Sequence, residues 1–599
     1  MSRPSPKAGS PEDAASEYAF LVGTVVDRET LDHAIVLARR WGVAPHEVLL
    51  ARGWIPADDY IEALARYLGV ISIGEDRTAA DGQRIVMLDG TIAQPWEIAS
   101  RVAAHEAAGE LVILSPTYRL HDVEPSHLRA DRLTTAVAGL LRWRPVMSAG
   151  APTWRWQVFA ATIALGLTIG GIATAPDVVY HAVLMALTAA FLPMVVLRLA
   201  ILVAGIWPLP AIPRDARVPD AELPVYTLLV PMFRESAVLR QLVDAISKLD
   251  YPHAKLDVLL VLESVDVETR AAAAVLDLPG FIRVIVVPDR QPRTKPKALN
   301  YALKFARGDF VVVFDAEDMP QPDQLRRALA TFRASSANTF CLQGRLNIHN
   351  THDGWLVRQF ALEYAVLFGL TLPGLVRLNL PVPLGGTSNH FPRAVLERWS
   401  GWDPFNVTED ADLGIRLRRT GGRIGMLDSV TWEEAPERFG VWLRQRTRWL
   451  KGWMQTYLVH NRQPIQLWRD LGPAAFIGFH LYSGGLILSA LVFPIFCTLA
   501  VVDLWRGYWL SNFHTPVERI VWAIAVFNLA TAYVGSVVAA WIAAWRMGSM
   551  RLALGAFLMP VYWLLISLAA YRALFQLMTS PYRWEKTEHR PRTSRVRIG

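Results

Sequence analysis

Only two cysteines, Cys341 and Cys497, occur in 599 residues. They lie far apart in the chain, so no disulfide framework or CxxC metal site is available, and each reads as a small buried apolar residue. Charge is scarce too. Asp, Glu, Lys and Arg make up 19% of the chain and hydrophobic residues 52%, whereas soluble domains carry roughly 25% charge. A purely soluble protein is disfavoured and a disordered one excluded. Neither sign of charge dominates: 61 Lys plus Arg against 54 Asp plus Glu leaves +7. That suits an anionic membrane surface or a phosphorylated substrate and does not call for nucleic acid. The N-terminus lacks the apolar core of a signal peptide. Residues 1–19 are expected to be disordered, and the domain after them to stay in the cytoplasm.

What is abundant is apolar sequence, with 22 Trp and 23 Phe to furnish membrane-interface belts. Runs at 156–176 and 179–205 are each long enough to cross a hydrocarbon core, giving two membrane helices within 150–207. Arg142, Arg144 and Arg155 precede them and Arg214 and Arg217 follow, while the linker at Pro176-Asp177 carries no Lys or Arg. Both flanks therefore belong in the cytoplasm. Arg198 lies inside the second run and is read as snorkelling to the near interface ahead of lining a polar path. Further runs at 475–503, 518–545 and 552–577 fill a C-terminal membrane region, 471–578. The basic tail 579–599 and the loop with Arg546 and Arg551 both read as cytoplasmic. They conflict if 552–577 crosses once; either Pro560 splits that run, or 475–503 holds more than one element. An even total of four or six spans is expected.

Between these regions, residues 222–460 alternate strands (TLLVP, DVLLVLE, IRVIVVP, DFVVVFDAED) with helical segments. Buried runs of this kind predict a mostly parallel α/β sheet, with functional groups at the carboxyl ends of its strands. The stretch 355–382 is amphipathic, with Trp355, Phe360, Tyr364, Phe368 and Leu372 on one side, and suits the membrane surface.

Residues 20–145 read as a small α+β domain. Leu31, Ile35, Val36, Leu49, Leu50, Ile61, Leu64 and Leu68 recur at helical spacing, Gly53 and Pro56 punctuate, and LVILSP suggests a strand. The stretch 42–70 resembles the N-terminal domain of type II secretion ATPases, some of which bind cyclic di-GMP through a repeated Arg-Leu-Gly-type motif. The corresponding places here read Phe20-Leu21-Val22-Gly23 and Pro45-His46-Glu47, without the arginine. The resemblance thus implies a docking or structural role, with a protein partner, ahead of cyclic di-GMP binding.

Four features in 222–460 carry chemistry. Phe233-Arg234-Glu235 follows the first strand, where an aromatic ring and an acid can hold a base and its neighbours. Asp315-Ala316-Glu317-Asp318 ends an all-apolar strand; carboxylates this close repel, and Mg²⁺ or Mn²⁺ with phosphate oxygens is the natural compensation. Thr408-Glu409-Asp410 opens a helix: Thr408 suits the cap, and Asp410 can act as a general base for a hydroxyl. Gln445, Arg448 and Trp449 fall on one helical face, where Arg448 can meet a diphosphate and Trp449 a sugar ring.

Together, in this order and between membrane helices, the motifs resemble the processive family 2 glycosyltransferases of GT-A fold, which include cellulose, chitin and hyaluronan synthases. The resemblance covers about 150–590 and implies a multidomain membrane protein, with an α/β GT-A domain between transmembrane helices and a small cytoplasmic N-terminal domain. By the same resemblance Phe233 and Glu235 hold the uracil side of a UDP-sugar. Glu263 stands where an aspartate usually contacts uridine, Lys295 lies near the nucleotide, and Asp315 with Glu317 binds metal and diphosphate. Asp410 is the base with Glu409 beside it, and Gln445, Arg448 and Trp449 shape the acceptor and diphosphate site. Glu in place of Asp at 263 and 317 lengthens each arm by a methylene, and Asp318 is an alternative ligand. Gly385-Gly386-Thr387-Ser388-Asn389-His390, before Asp410, is a glycine-rich turn that either lines the acceptor site or is simply a tight turn. Trp584-Glu585-Lys586-Thr587-Glu588-His589 resembles the gating segment of some synthases. The implied activity is inverting transfer from a UDP-sugar to a β-linked polysaccharide at a bacterial inner membrane, with the catalytic domain cytoplasmic. Transfer to a lipid carrier, and an inactive transferase-like assembly protein, are the alternatives.

Overall fold

The computed structural model describes residues 11–73, 85–116, 126–152, 155–209, 218–505 and 515–585. It divides into two compact units: residues to 135 with 214–289 and 301–316, and residues 136–213 with 290–300 and 317–599. Arg214, Arg217 and Lys586 through His589 lie outside the described residues.

The first unit opens with helices whose ends the local sequence dictates. Asp27 accepts from Thr30 N at 2.7 Å to cap Arg28–Trp41, and Gly42, at φ 66°, ends it. Glu47 reaches back to Ala44 N at 2.7 Å over the start of Pro45–Ala51. Leu31, Ile35, Leu49, Ile61 and Leu64 meet in one core with Tyr18 and Tyr60. Val36, read from its spacing as a core residue, is instead 63% exposed; helix Arg28–Trp41 buries the stripe through Leu31, Ile35 and Ala38 and turns Val36 away. The ordered domain also begins before residue 20, since Pro11–Glu17 is helical and Tyr18 is 1% exposed. A small parallel sheet follows, with β1 (Ile71–Ser72), β2 (Ile85–Asp89) and β3 (Leu111–Ser115) in the order β1-β3-β2.

The rest of this unit is built on four parallel strands. Its strands are β4 (Tyr226–Met232), β5 (Leu256–Glu263), β6 (Ile282–Val287) and β7 (Phe310–Val313), in the order β6-β5-β4-β7. Every residue of β5 is buried, as a strand covered on both faces requires. The amino ends of the strands are tied by Asp257, which pairs with Arg283 and Arg307 and accepts from Thr227 Oγ1 at 2.8 Å. The N-terminal helices pack against this same layer: a methyl group on Gly42 would press on Ala221, and one on Gly280 would collide with the Leu50 carbonyl. The carboxyl ends of β4, β5 and β7 lead to Phe233, Glu263 and Asp315.

The second unit holds β8 (Met319–Pro320), β9 (Thr339–Ile348), β10 (Asn389–Pro392) and β11 (Arg423–Glu433), in the order β10-β9-β11-β8. Here β9 and β11 run parallel while the outer pairs are antiparallel, so the mostly parallel expectation describes the first unit better than the second. Among the described residues, six helices are long and apolar enough to cross a membrane: Arg155–Thr174, Val178–Ile206, Trp355–Arg377, Pro473–Thr498, Pro516–Arg546 and Met550–Thr579. They mark a membrane protein.

The six differ in setting. Arg155–Thr174 is 0% buried in its apolar window, whereas Trp355–Arg377 is 67% buried. Gly205 and Gly374 let Trp355–Arg377 meet Val178–Ile206 backbone to backbone, where any side chain would strike the Leu370 or Ile201 carbonyl. The last helix, Met559–Thr579, lies along Phe439–His460 at both its ends. Tyr562 meets Trp442 and Arg446 near one end, and Gln576 accepts from Lys451 near the other. Its outward side is one stripe of Leu564, Leu568, Tyr571, Phe575 and Met578.

Candidate active site

In the first unit, the loop after β4 is pinned from below. Asp266, the cap of helix Val267–Val275, accepts from Arg234 N at 2.5 Å, and Thr269 Oγ1 accepts from Glu235 N at 3.1 Å. Arg234 takes φ 56°, a left-handed turn that sets its guanidinium 5.3 Å from the Phe233 ring. Glu263 ends β5 and is 6% exposed; Asp315 follows β7 half-buried. Asp266 was not read from the sequence as part of this site. Its signal is an acid directly before a short helix, next to a loop already singled out.

In the second unit, Glu409 and Asp410 open the helix Glu409–Arg419. Lys295 Nζ donates to the Gly386 carbonyl at 2.8 Å. A Cβ on Gly386 would stand 3.1 Å from Asp410 Oδ2 and 4.0 Å from Lys295 Nζ, so acid, lysine and glycine turn face one another. Burial pushes Glu409 up to about 8, with Asp410 adding to the rise and Lys295 and Arg448 opposing it. Burial likewise raises Asp410 against the pull of Lys295 and Arg448. Lys295, expected near the nucleotide, thus sits against the acid pair.

Thr408 occupies the helix cap position, but its side chain makes no capping hydrogen bond. It packs instead against Gly452 of helix Phe439–His460, where even a methyl group would overlap it. Glu317 is half-buried, while Asp318 is 2% exposed and receives a hydrogen bond from Thr387. One oxygen of Asp318 is therefore tied to the glycine turn. Among the described residues, no cluster of three or more His, Cys, Asp or Glu side chains is arranged to hold a metal ion.

Gln445, Arg448 and Trp449 lie in the first half of Phe439–His460, with Gln445 buried. The Trp449 ring stacks on Tyr364 (6.2 Å, 28°) and leans on Phe360 at 5.9 Å. Arg446 lies 4.7 Å from the Trp449 ring and 4.5 Å from Phe360, and reaches both oxygens of Glu363 at 2.8 and 2.5 Å. Arg448 lies 4.4 Å from the Trp584 ring. The segment that brings Trp584 there is strapped down. Lys451 Nζ donates to the Ser580 and Arg583 carbonyls at 3.3 and 2.8 Å, and Gln455 donates to Pro581 O at 2.9 Å. Arg572 pairs with Glu585 at 2.7 Å.

Residues 224–452 match the family model described as "Glycosyltransferase like family 2". This stretch is thus similar to family 2 glycosyltransferases. The chain is 27% identical over 318 residues to "Probable glycosyltransferase YdaM" of Bacillus subtilis (strain 168), covering 52% of this chain and 73% of that protein. It is 27% identical over 381 residues to "Beta-monoglucosyldiacylglycerol synthase" of Synechocystis sp. (strain ATCC 27184 / PCC 6803 / Kazusa), covering 61% of this chain and 75% of that protein. Among solved structures, the mannosyltransferase PcManGT from Pyrobaculum calidifontis, in complex with GDP-Man and Mn²⁺, aligns with TM-score 0.43 at 20% identity, covering 66% of this chain and 98% of that one.

Proposed function

We propose that the protein is an inverting glycosyltransferase that moves a sugar from a UDP-sugar onto a growing β-linked polysaccharide at the bacterial inner membrane. The observation that carries this reading is the buried acid pair Glu409–Asp410, held opposite the Gly386 turn with Lys295 and Arg448 as its cations. Asp410 takes the proton of the acceptor hydroxyl, and the space beside Gly386 admits that hydroxyl. The oxygen attacks the anomeric carbon in line, so an α-linked donor yields a β-linked product. Arg448 stabilises the diphosphate as it departs. Glu409 keeps its own proton and leaves a single negative charge on the pair.

Phe233, Glu235 and Glu263 bind the nucleotide. Asp315 and Glu317 supply carboxylate oxygens of the kind Mg²⁺ or Mn²⁺ prefers, and such an ion, when bound, neutralises diphosphate charge. Trp449, packed on Phe360 and Tyr364, offers an aromatic face to the acceptor sugar. The segment around Trp584 closes over Arg448 and the donor.

Four helices cross the membrane on this reading. Trp355–Arg377 and Met550–Thr579 lie along the catalytic domain's membrane face, which puts the loop with Arg546 and the basic tail on one side and removes their conflict. The N-terminal domain serves as a docking module.

A second reading, transfer of one sugar to a membrane lipid, is favoured by the similarity to a glycolipid synthase. One experiment separates the two: incubate the lipid-reconstituted protein with radiolabelled UDP-glucose, UDP-N-acetylglucosamine or UDP-glucuronate and Mg²⁺ or Mn²⁺, then size the product. A high-molecular-weight, β-glycosidase-sensitive product supports polymerisation. A single sugar on lipid supports the second reading, and no turnover of any donor counts against both.

A further inference from the structure

We propose that His460 is a positioning residue: its contact with Asp412 holds the helix that carries Asp410 in register with the helix that carries Arg448 and Trp449. This rests on the catalytic reading above.

Asp410 and Asp412 share the helix Glu409–Arg419. At about 100° per residue, two positions turn their side chains to opposite sides. Asp410 faces Gly386 and Lys295 on the front. Asp412 faces back, where His460 Nε2 lies 3.2 Å from its Oδ1 and both side chains are fully buried. Neither atom has a hydrogen-bond partner elsewhere among the described residues. The other ring nitrogen, Nδ1, is 3.1 Å from Arg419 Nη1. A guanidinium only donates, so Nδ1 accepts, and a neutral ring carries its proton on Nε2, toward Asp412. Burial keeps the imidazole below its ordinary pKa despite Asp412. Burial alone would raise Asp412, but Arg416 and His460 outweigh it and hold the carboxyl below its usual range.

The contact is the centre of a buried row. Arg416 Nε donates to Asp412 Oδ2 at 2.9 Å and its other nitrogens hold the Trp399 and Gly401 carbonyls. Arg419 also donates twice to Asp470, at 2.9 and 2.7 Å. The same side of Phe439–His460 grips the approach to the acidic helix. Asn406 donates to Thr456 Oγ1 at 2.9 Å, Val407 N donates to Gln455 Oε1 at 3.2 Å, and Gly452 abuts Thr408. The long helix thus carries Arg448 and Trp449 on its first half and the grip on the base on its second. His460 is the last of these grips and reaches the acidic helix itself.

The test uses the full-length chain in lipid and whichever of the three UDP-sugars the wild type turns over. His460→Gln keeps an N–H where Nε2 stands, whereas His460→Asn fills space but reaches only toward Arg419. The expected result is a kcat loss of about tenfold or more for H460A and H460N, with donor KM within about twofold and H460Q retaining most of the rate. Wild-type kcat in H460A, or equal losses in H460N and H460Q, overturns the proposal. Electron cryomicroscopy of H460N supplies an arm independent of turnover: the helix Glu409–Arg419 should shift against Phe439–His460, and an unmoved helix also overturns it. A wild type inactive on every donor counts against the catalytic reading alone, and the cryomicroscopy arm then decides this one.

Discussion

The guanidinium carbon of Arg448 lies 4.4 Å from the ring of Trp584, so the cation assigned to the diphosphate is covered by a residue far along the chain. Such a contact is worth about 0.5–2 kcal/mol depending on desolvation. Trp584→Ala should therefore raise the donor KM by about eightfold, at the middle of that range, with a smaller change in kcat. Donor saturation curves for the variant and wild type check this, and an unchanged KM would detach Trp584 from the donor site.

Asp410 should govern the acid limb of the pH–rate profile. Burial raises its carboxyl above the ordinary aspartate range, against the pull of Lys295 and Arg448. The limb is expected above the ordinary aspartate range, with activity lost as pH falls through it. Lys295→Met removes one cation and should move the limb upward. Asp410→Asn should cut turnover by about a thousandfold or more while donor binding persists, as for a base acting in the transition state. Full activity in D410N would end the catalytic assignment.

Gly452 has no room for a side chain, because Thr408 occupies the space. Gly452→Ala should push Thr408-Glu409-Asp410 out of place, at a stability cost of about 1–3 kcal/mol. The expected signature is a large fall in kcat with donor affinity kept. Titration of the purified variant with the donor, alongside turnover, separates this from general unfolding.

Asp257 lies under the parallel sheet, distant in role from the chemistry, and is held below the usual carboxylate range: burial would raise it, but Arg283 and Arg307 prevail. A lowered folded-state pKa gives stability that is present above the unfolded value and lost as pH falls through the folded one. Asp257→Asn leaves two cations uncompensated, at a cost of about 3–5 kcal/mol. The first thermal unfolding transition should drop accordingly, and its decline between neutral and acid pH should become shallower than in the wild type.

Helix Met559–Thr579 is tied to Phe439–His460 at both ends. Single reporter cysteines at Gly548 and Ser580, in a background without Cys341 and Cys497, should label from the same side of the membrane. Labelling from opposite sides would make this helix a span and restore the conflict between its flanking charges.

Much of the architecture was legible in the sequence because burial imposes periodicity. The continuous apolar runs of β4, β5 and β6 announced a covered parallel sheet, and unbroken 20-residue runs announced membrane-length helices. Val36 shows the limit: it fits the helical spacing, but the neighbouring elements decide which stripe is covered. The 550–579 segment shows another. Hydropathy registers length and apolarity, and it is blind to the packing of Met559–Thr579 along Phe439–His460.

The candidate site divides in the same way. Glu409, Asp410, Gln445, Arg448 and Trp449 stood out as candidates because acids and an Arg-Trp pair at helical spacing are chemically conspicuous. His460, Gln455, Thr456 and Gly452 were not, since a polar or small residue in a helix carries no mark of what it will face. The sequence by itself determined which segments could bury themselves, in lipid or in a core, and which side chains were capable of the chemistry. The tertiary structure alone decided that Lys295 stands by the acids, that Thr408 packs on Gly452 without capping its helix, and that Arg448 lies under Trp584. Local sequence sets the conformation of a segment, but contacts between residues a hundred positions apart depend on packing that no single segment encodes.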